Sequence, residues 1–229
     1  MMIKLPTPIH GWRAFSGEVG IIVVGVLIAL AAQQLVENAN GRSEVRTFRV
    51  LADGEVAYNL ASVQYRMAQN RCIDARIAAL EAWRDAARAG KPIRPIVTLG
   101  RPNNYALARG VWDSRNGDLM RQMPLDLTIA YSSLYDGFDN VTVQTRDERE
   151  AWRSLSAFVG TTKLDEADLK RLTEFIARVK SLNRVLKADW AESVGQGADL
   201  GVRPNFGKDQ RYVTPPDPEM CQPMLGPAA

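Results

Sequence analysis

The sequence is almost without histidine. His10 is the only one among 229 residues, and it precedes the long apolar run of the chain. Triad-type serine and cysteine nucleophiles need a histidine base, and most catalytic metal sites recruit histidine ligands, so these classes of site are excluded. The sequence also carries no glycine-rich phosphate loop, nucleophile elbow, Cys-x-x-Cys pair or EF-hand loop. We therefore expect no catalytic residue, no metal ion and no cofactor.

An excess of one charge is also missing. The chain has 29 Lys and Arg against 26 Asp and Glu, a formal net charge of +3, which is too balanced for a dedicated nucleic-acid binder. The densest acidic groups are residues 147–150 and 165–168. The first alternates with arginines, as the exposed face of a salt-bridged helix does, and the second has the composition of a helix start. An enzyme that uses carboxylates alone is the remaining catalytic alternative.

A long apolar run is present near the amino terminus. Residues 19–36 contain no charged side chain, and as a helix they would extend about 27 Å. This nearly matches a hydrocarbon core ~30 Å thick. Trp12 and Phe15 lie just upstream, where aromatic side chains face lipid headgroups. We predict a transmembrane helix over residues 19–36, preceded by a tail of residues 1–18.

Two alternatives to a membrane anchor remain open. A buried core helix would normally show a polar face, which this run does not have. A cleaved secretory signal is indicated by the small-x-small sequence at residues 29–31, but Glu18 stands where a positive charge is expected. Basic residues flank the run on both sides, so their count does not decide the orientation. The short tail, with Arg13 close to the run, favours an amino terminus in the cytoplasm and residues 37–229 outside it.

Two small residues, Gly25 and Ala29, lie on one face of the predicted transmembrane helix. This spacing lets two membrane helices approach closely, and it therefore predicts self-association through that face. The alternative is that the pair reflects the ordinary frequency of glycine and alanine in membrane spans.

The anchor region resembles that of a group of uncharacterised bacterial proteins. Residues 17–37 read GEVGIIVVGVLIALAAQQLVE, with a Gly-Glu pair, a glycine-containing Val/Ile/Leu span and a polar, acidic end. The Trp112-Asp113 pair followed by Tyr131-x-x-x-Tyr135 is similar to what these proteins carry downstream. The resemblance implies a single-pass, membrane-anchored helical protein and brings no catalytic residues. With the predicted orientation, we expect the bacterial inner membrane, the bulk of the chain in the periplasm, and as partners the lipid bilayer and either a second copy or another envelope protein.

The apolar spacing after the anchor is helical. Steps of three and four predict a helix over residues 43–69 and another over about 73–87, which ends at Gly90. Residues 38–41 form either a hinge after the anchor or part of one continuous helix.

The signals that follow are local. Residues 93–104 contain two prolines and no partner run, so we predict a loop. Asn103 or Asn104 then caps a short helix through Trp112, and Pro124 fits the first turn of the next helix.

The clearest periodicity lies between Pro124 and Gly160. Two series recur every seven residues and mark a helix–helix seam: Leu127, Leu134, Val141, Glu148 and Leu155, and Tyr131, Phe138, Thr145, Trp152 and Val159. A second long helix is predicted after Gly160, because Thr162 and Asp165 resemble a capping box. Two long helices joined by a short turn should pack antiparallel.

The predicted fold is therefore all-α. It consists of an N-terminal transmembrane helix, an antiparallel helical bundle over residues 37–194 and an irregular Pro/Gly-rich tail over residues 195–229. Two polar residues, Thr145 and Asn183, interrupt the seams. Such residues fix helix register or, as the alternative, bind a ligand.

The two cysteines, Cys72 and Cys221, lie far apart in the sequence. An even count in an exported chain favours a disulfide, which would also tether the tail. The alternative is two unrelated buried thiols.

One group of side chains suggests a ligand pocket. Trp112, Tyr131 and Tyr135 are aromatic, and Arg109 is the nearby cation; the alternative is that the aromatic residues fill the core. The leading functional hypothesis is a non-enzymatic, membrane-anchored interaction or scaffolding protein. The alternative is a binding module for a small molecule or an envelope component.

Overall fold

The computed structural model describes residues 12–207 and 218–226. Throughout these ranges the regular structure is helical, which confirms the all-α class. The α-helices are α1 (Trp12–Met67), α2 (Asn70–Arg88), α3 (Gly110–Asp113), α4 (Gly117–Gln122), α5 (Leu125–Leu155) and α6 (Glu166–Asp199). Short 3₁₀ helices span Ser156–Phe158 and Pro218–Cys221. Residues 1–11, 208–217 and 227–229 of the predicted terminal segments lie outside the described ranges.

α1 continues without a break from the apolar run into the folded domain. Its apolar part is exposed, with 75% of Ile21 and 70% of Leu35 accessible to solvent. Further along the same helix, Val56 and Leu60 are completely buried. Of the two alternatives for residues 38–41, the continuous helix is the one observed.

Gly41 marks a close approach between α1 and α4. It is buried, and the side chain of Gln122 on α4 occupies the space that a Cβ atom at Gly41 would need. Glycine therefore serves packing here, at the level where the domain begins to surround α1.

The buried apolar residues form two main clusters. The first surrounds the middle of α1 and draws on α3, α4 and the first half of α5. The second lies between α2, the end of α5 and α6. It also takes in Ile96 from the loop after α2 and Met224 from the C-terminal segment, so irregular chain completes this second core.

α5 and α6 pack against each other along their lengths. Ser133 contacts Gln196 and Gln144 contacts Asp189, so the two helices run in opposite directions. The buried members of the α5 seam are Tyr131, Leu134, Phe138, Val141, Glu148, Trp152 and Leu155. Val159 is 43% exposed because α5 has already ended before it.

α6 begins at a different cap from the one predicted. Its N-cap is Asp165, whose side chain accepts the backbone N–H of Asp168 at 2.7 Å, and Asp168 completes the capping box. Thr162 precedes the helix. The prediction had placed the box three residues early because Thr162 has the right residue type at the right spacing.

α6 also ends later than the predicted domain boundary at residue 194, since it continues to Asp199. Gly197 does not terminate the helix. It is buried, and a Cβ atom there would come within 2.7 Å of Cδ1 of Leu60. Glycine at this position allows α6 to approach α1 closely.

The helix predicted through Trp112 is shorter than expected. α3 begins only at Gly110, and neither Asn103 nor Asn104 caps it. The backbone groups of Asn103 and Ala108 before it bond to the side chains of Gln69 and Asn59 and do not enter a helix. Asn116 instead caps α4 by accepting the N–H of Leu119 at 2.8 Å.

Candidate functional site

A buried ion pair lies at the centre of the helical domain. Nε of Arg66 on α1 donates to Oε2 of Glu148 on α5 at 2.8 Å, and Nη2 pairs with the other carboxylate oxygen. Both side chains are only 1% exposed. The sequence had placed Glu148 on an exposed acidic face, which is wrong; the seam spacing that also included Glu148 gave its true position.

The ion pair extends into a network across four helices. Arg66 donates from Nη2 to Asn183 on α6 and from Nη1 to Asn70 on α2, both at 2.9 Å. Asn183 donates to Asp74 at 2.8 Å. These bonds fix which residues of α1, α2 and α6 face one another, in agreement with a register role for Asn183.

A cavity of about 290 Å³ adjoins Arg66. It lies between α1, α5, α6 and the loop before α3, and its apolar lining includes Val63, Val141 and Leu186. The remaining lining residues are Ser62, Arg66, Asn104, Tyr105, Ala106, Leu107, Thr142, Val143, Thr145, Arg146 and Arg149. Among these described lining residues three are arginines and none is acidic.

The loop that forms one wall is held at one end by Gln69, the N-cap residue of α2, and at the other by Asn59 of α1. Gln69 accepts the N–H of Asn103 at 2.8 Å and donates to its carbonyl oxygen at 2.6 Å. Asn59 makes the same pair of bonds with Ala108, both at 2.7 Å. Two buried carboxamides therefore hold residues 104–107 against the cavity without any regular secondary structure.

Two arginines of α5 border the cavity. Arg149 donates from Nη2 to Oδ1 of Asn104 at 3.0 Å, which links α5 to the loop. Arg146 is exposed, and its side chain makes no hydrogen bond or ion pair with any residue in the described part of the chain. Thr145, singled out for its place in the seam, also lines this cavity.

The aromatic residues predicted to line a pocket come together as core. The rings of Trp112 and Tyr135 stack at 5.0 Å between centroids, and Tyr131 lies 6.1 Å from Trp112. All three are at most 2% exposed. Their packing agrees with the core alternative rather than with an open pocket.

The two tyrosine hydroxyls are bound by acidic residues of α1. Tyr135 donates to Glu55 at 2.7 Å, and Tyr131 donates to Asp53. Burial raises the pKa of both tyrosines above the ordinary value, and the hydrogen bonds to the carboxylates raise it further.

Arg109 lies near this cluster, but its guanidinium is bound by acidic residues. It forms ion pairs with Asp113, at 2.9 Å, and with Asp139. The guanidinium over the Trp112 ring is that of Arg115, whose Cζ lies 4.2 Å from the centroid. Arg115, and not Arg109, is therefore the cation that stacks on Trp112, and a ligand-binding role of Arg109 stays a prediction.

Cys72 and Cys221 form the predicted disulfide, with their Cα atoms 4.9 Å apart. The bond joins the start of α2 to the C-terminal 3₁₀ turn. Gly25 lies on the exposed apolar part of α1, with nothing within 4 Å of the position of a Cβ atom, so the packing role of Gly25 and Ala29 stays a prediction.

Within the described ranges, no group of three or more His, Cys, Asp or Glu residues is placed to hold a metal ion. The same ranges contain one helix that is long and apolar enough to cross a membrane, and this is the helix near the amino terminus. No protein-family model matches the sequence, and no curated protein or solved structure matches it either.

Proposed function

We propose that this protein is a membrane-anchored, non-enzymatic interaction protein. The observation that carries the proposal is the division of α1, whose apolar residues 19–36 are exposed while the later part of the same helix enters the core. Such a long exposed apolar surface is costly in water and favourable in a bilayer. α1 thus serves as both anchor and central helix of the domain.

The proposed location of the domain is the periplasmic side of a bacterial inner membrane. The Cys72–Cys221 disulfide supports this side, since disulfides persist in oxidising compartments and are rare in the cytoplasm. The domain on that side is an antiparallel helical bundle whose C-terminal tail is fixed by the disulfide.

The anchor helix itself provides a surface for binding a partner. Gly25 and Ala29 are small, exposed residues on one face of α1, which favours close contact with a second copy or with another membrane helix. Because α1 is continuous, such contact would also set the relative orientation of the attached domains.

Fractionation and crosslinking test this proposal. The full chain should remain in the membrane after high-salt and carbonate washes with its amino terminus intact. A photoreactive amino acid in place of Ala29 should crosslink to a second copy or a reproducible partner more than the same group in place of Leu27, on the opposite face of the helix. Quantitative recovery of the intact chain in a detergent-free, high-speed supernatant would overturn the anchor.

A second candidate function is supported by the cavity beside Arg66. We propose that the domain also binds a small molecule there, because its wall loop is fastened at Asn103 and Ala108 in a conformation that leaves the space open. A thermal-shift screen of the full chain should find a compound that stabilises the native protein. The same compound should not stabilise Thr145→Trp, in which a half-buried lining residue is enlarged into the cavity. Equal stabilisation of both proteins would exclude this cavity as the site.

A further inference from the structure

The hydrogen-bond donors that remain around the cavity belong mainly to arginine. The hydroxyls of Ser62, Thr142 and Thr145 all donate to backbone carbonyls of their own helices, at 2.9, 2.9 and 3.0 Å. A hydroxyl that already donates offers a ligand only its lone pairs. A ligand that needs a charged donor must therefore use the guanidinium groups that border the cavity.

These guanidinium groups are not equally neutralised. Arg66 is matched by the buried carboxylate of Glu148. Arg149 is bound to the neutral carboxamide of Asn104, and Arg146 has no partner among the residues that the structure describes. Of the acidic residues that adjoin Arg149 in sequence, Glu148 pairs with Arg66, and Glu150 pairs with Arg153 at 2.6 Å. The border of the cavity therefore carries positive charge that is available to an anion.

The interior of the cavity, in contrast to its border, favours an apolar group. Val63, Val141 and Leu186 are at most 3% exposed and form an apolar cluster of their own. An apolar body that reaches them would remove its own surface from water. A free inorganic anion would gain nothing from this part of the site, whereas a molecule with an apolar body and an anionic end would use both parts.

We infer that the cavity binds a small apolar molecule that carries one carboxylate, with the carboxylate at Arg146 and Arg149 and the apolar body against Val63, Val141 and Leu186. This ligand class presupposes the second proposed function, because it specifies what that cavity recognises. A carboxylate is the chemistry that a pair of guanidinium groups binds through charge-assisted hydrogen bonds. The apolar body fixes which carboxylates are accepted.

Two matched probes test the role of the charge. Fluorine NMR would measure binding of fluorophenylpropanoate and of the neutral fluorophenylpropanol to the full chain in nanodiscs, with empty nanodiscs subtracted. We expect the carboxylate to bind about tenfold more tightly than the alcohol, as one charge-assisted interaction provides. In the double variant Arg146→Gln/Arg149→Gln, the affinity for the carboxylate should fall to that for the alcohol. Arg153 is an exposed arginine of the same helix outside the cavity, and the Arg153→Gln variant should bind both probes like the native protein.

The outcomes separate the ligand class from the cavity function. Equal binding of both probes to the native protein, or no effect of replacing Arg146 and Arg149, would overturn the carboxylate inference and leave a binding cavity in place. Thr145→Trp should weaken the binding of both probes. Absence of binding by either probe would overturn the carboxylate inference, and the thermal-shift screen with Thr145→Trp would decide the cavity separately.

Discussion

Arg66 and Arg76 are both at most 3% exposed, but their surroundings differ. Arg66 contacts the carboxylate of Glu148 and the carboxamide of Asn183, which lie on the long helices α5 and α6. Arg76, on α2, donates to backbone carbonyls of irregular chain. Its acceptors are those of Thr98 at 2.6 Å, Glu219 at 3.2 Å, Met220 at 3.1 Å and Gln222 at 2.7 Å.

The difference reflects how the backbone carbonyls of each region obtain hydrogen-bond donors. Residues within a helix satisfy their own carbonyls, so a buried polar side chain there can serve register. The loop after α2 and the C-terminal segment have few such bonds, and one guanidinium with five N–H donors satisfies several carbonyls at once. Burial lowers the pKa of Arg76, and the charge of Glu219 opposes this effect. The helical region is thus organised by periodic apolar residues, and the irregular region by single polar side chains and a disulfide.

The largest expected effect comes from the disulfide of the irregular region. Cys72 and Cys221 are 149 residues apart, and replacing both by serine should lower the free energy of unfolding by up to ~5 kcal/mol in the chain-entropy model. Denaturant unfolding of the full chain would measure the change. Reduction of the native protein should give a matching shift, and two thiols that alkylate before reduction would contradict the bond.

Loss of the buried carboxylate in the helical region should be nearly as costly. Glu148→Gln leaves Arg66 buried without a counter-charge and should destabilise by about 4 kcal/mol. Glu150→Gln, a substitution in an exposed pair of the same helix, should cost less than ~0.5 kcal/mol by the same unfolding measurement. Similar losses in the two variants would show that the pair at Arg66 is not desolvated as described.

Removal of Arg76 should have a smaller and more local effect. Arg76→Leu takes away the charge together with the donors, so it leaves unpaired carbonyls rather than an unpaired charge, and about 2–3 kcal/mol should be lost. Hydrogen exchange should rise in residues 96–99 and 219–224 and stay unchanged in α5. Exchange that rises equally in α5 would remove the distinction between the two regions.

The smallest expected effects distinguish two glycines of α6. Gly197→Ala should destabilise by about 1–2 kcal/mol, because the new methyl group would overlap Leu60 of α1. A Cβ atom at Gly195 would have nothing within 4 Å. Gly195→Ala should therefore stabilise the fold by up to ~1 kcal/mol, because alanine has the higher helix propensity. Thermal unfolding of the two variants measures the difference, and shifts of the same sign would show that α1 and α6 are less closely packed at this point.

The helices of this protein could be predicted from the sequence because each buries one face. Val56, Leu60 and Val63 recur at helical steps, and they are buried in α1. Arg66 follows Val63 at the same spacing, and this was the available signal for its burial. Its partner Glu148 lies 82 residues away, so the pairing itself could not be read from local spacing.

The irregular region and the candidate site were harder to predict. The conformation of residues 103–108 depends on side chains distant in sequence, those of Asn59 on α1 and of Gln69 between α1 and α2. The cavity had one sequence signal, Thr145 in the α5 seam, but a polar residue there does not reveal an adjoining space. The aromatic residues around Trp112 were conspicuous in the sequence, but their rings pack against one another in the core instead of lining a pocket.

The continuity of α1 has a mechanical consequence. With residues 19–36 in the hydrocarbon core, the far end of this helix at Met67 stands about 46 Å beyond the edge of that core. A stiff rod of this length acts as a lever arm: a change of tilt of about 10° in the lipid would swing its tip by about 8 Å. Bilayer thickness and neighbouring spans would therefore govern how far the domain reaches into the surrounding space.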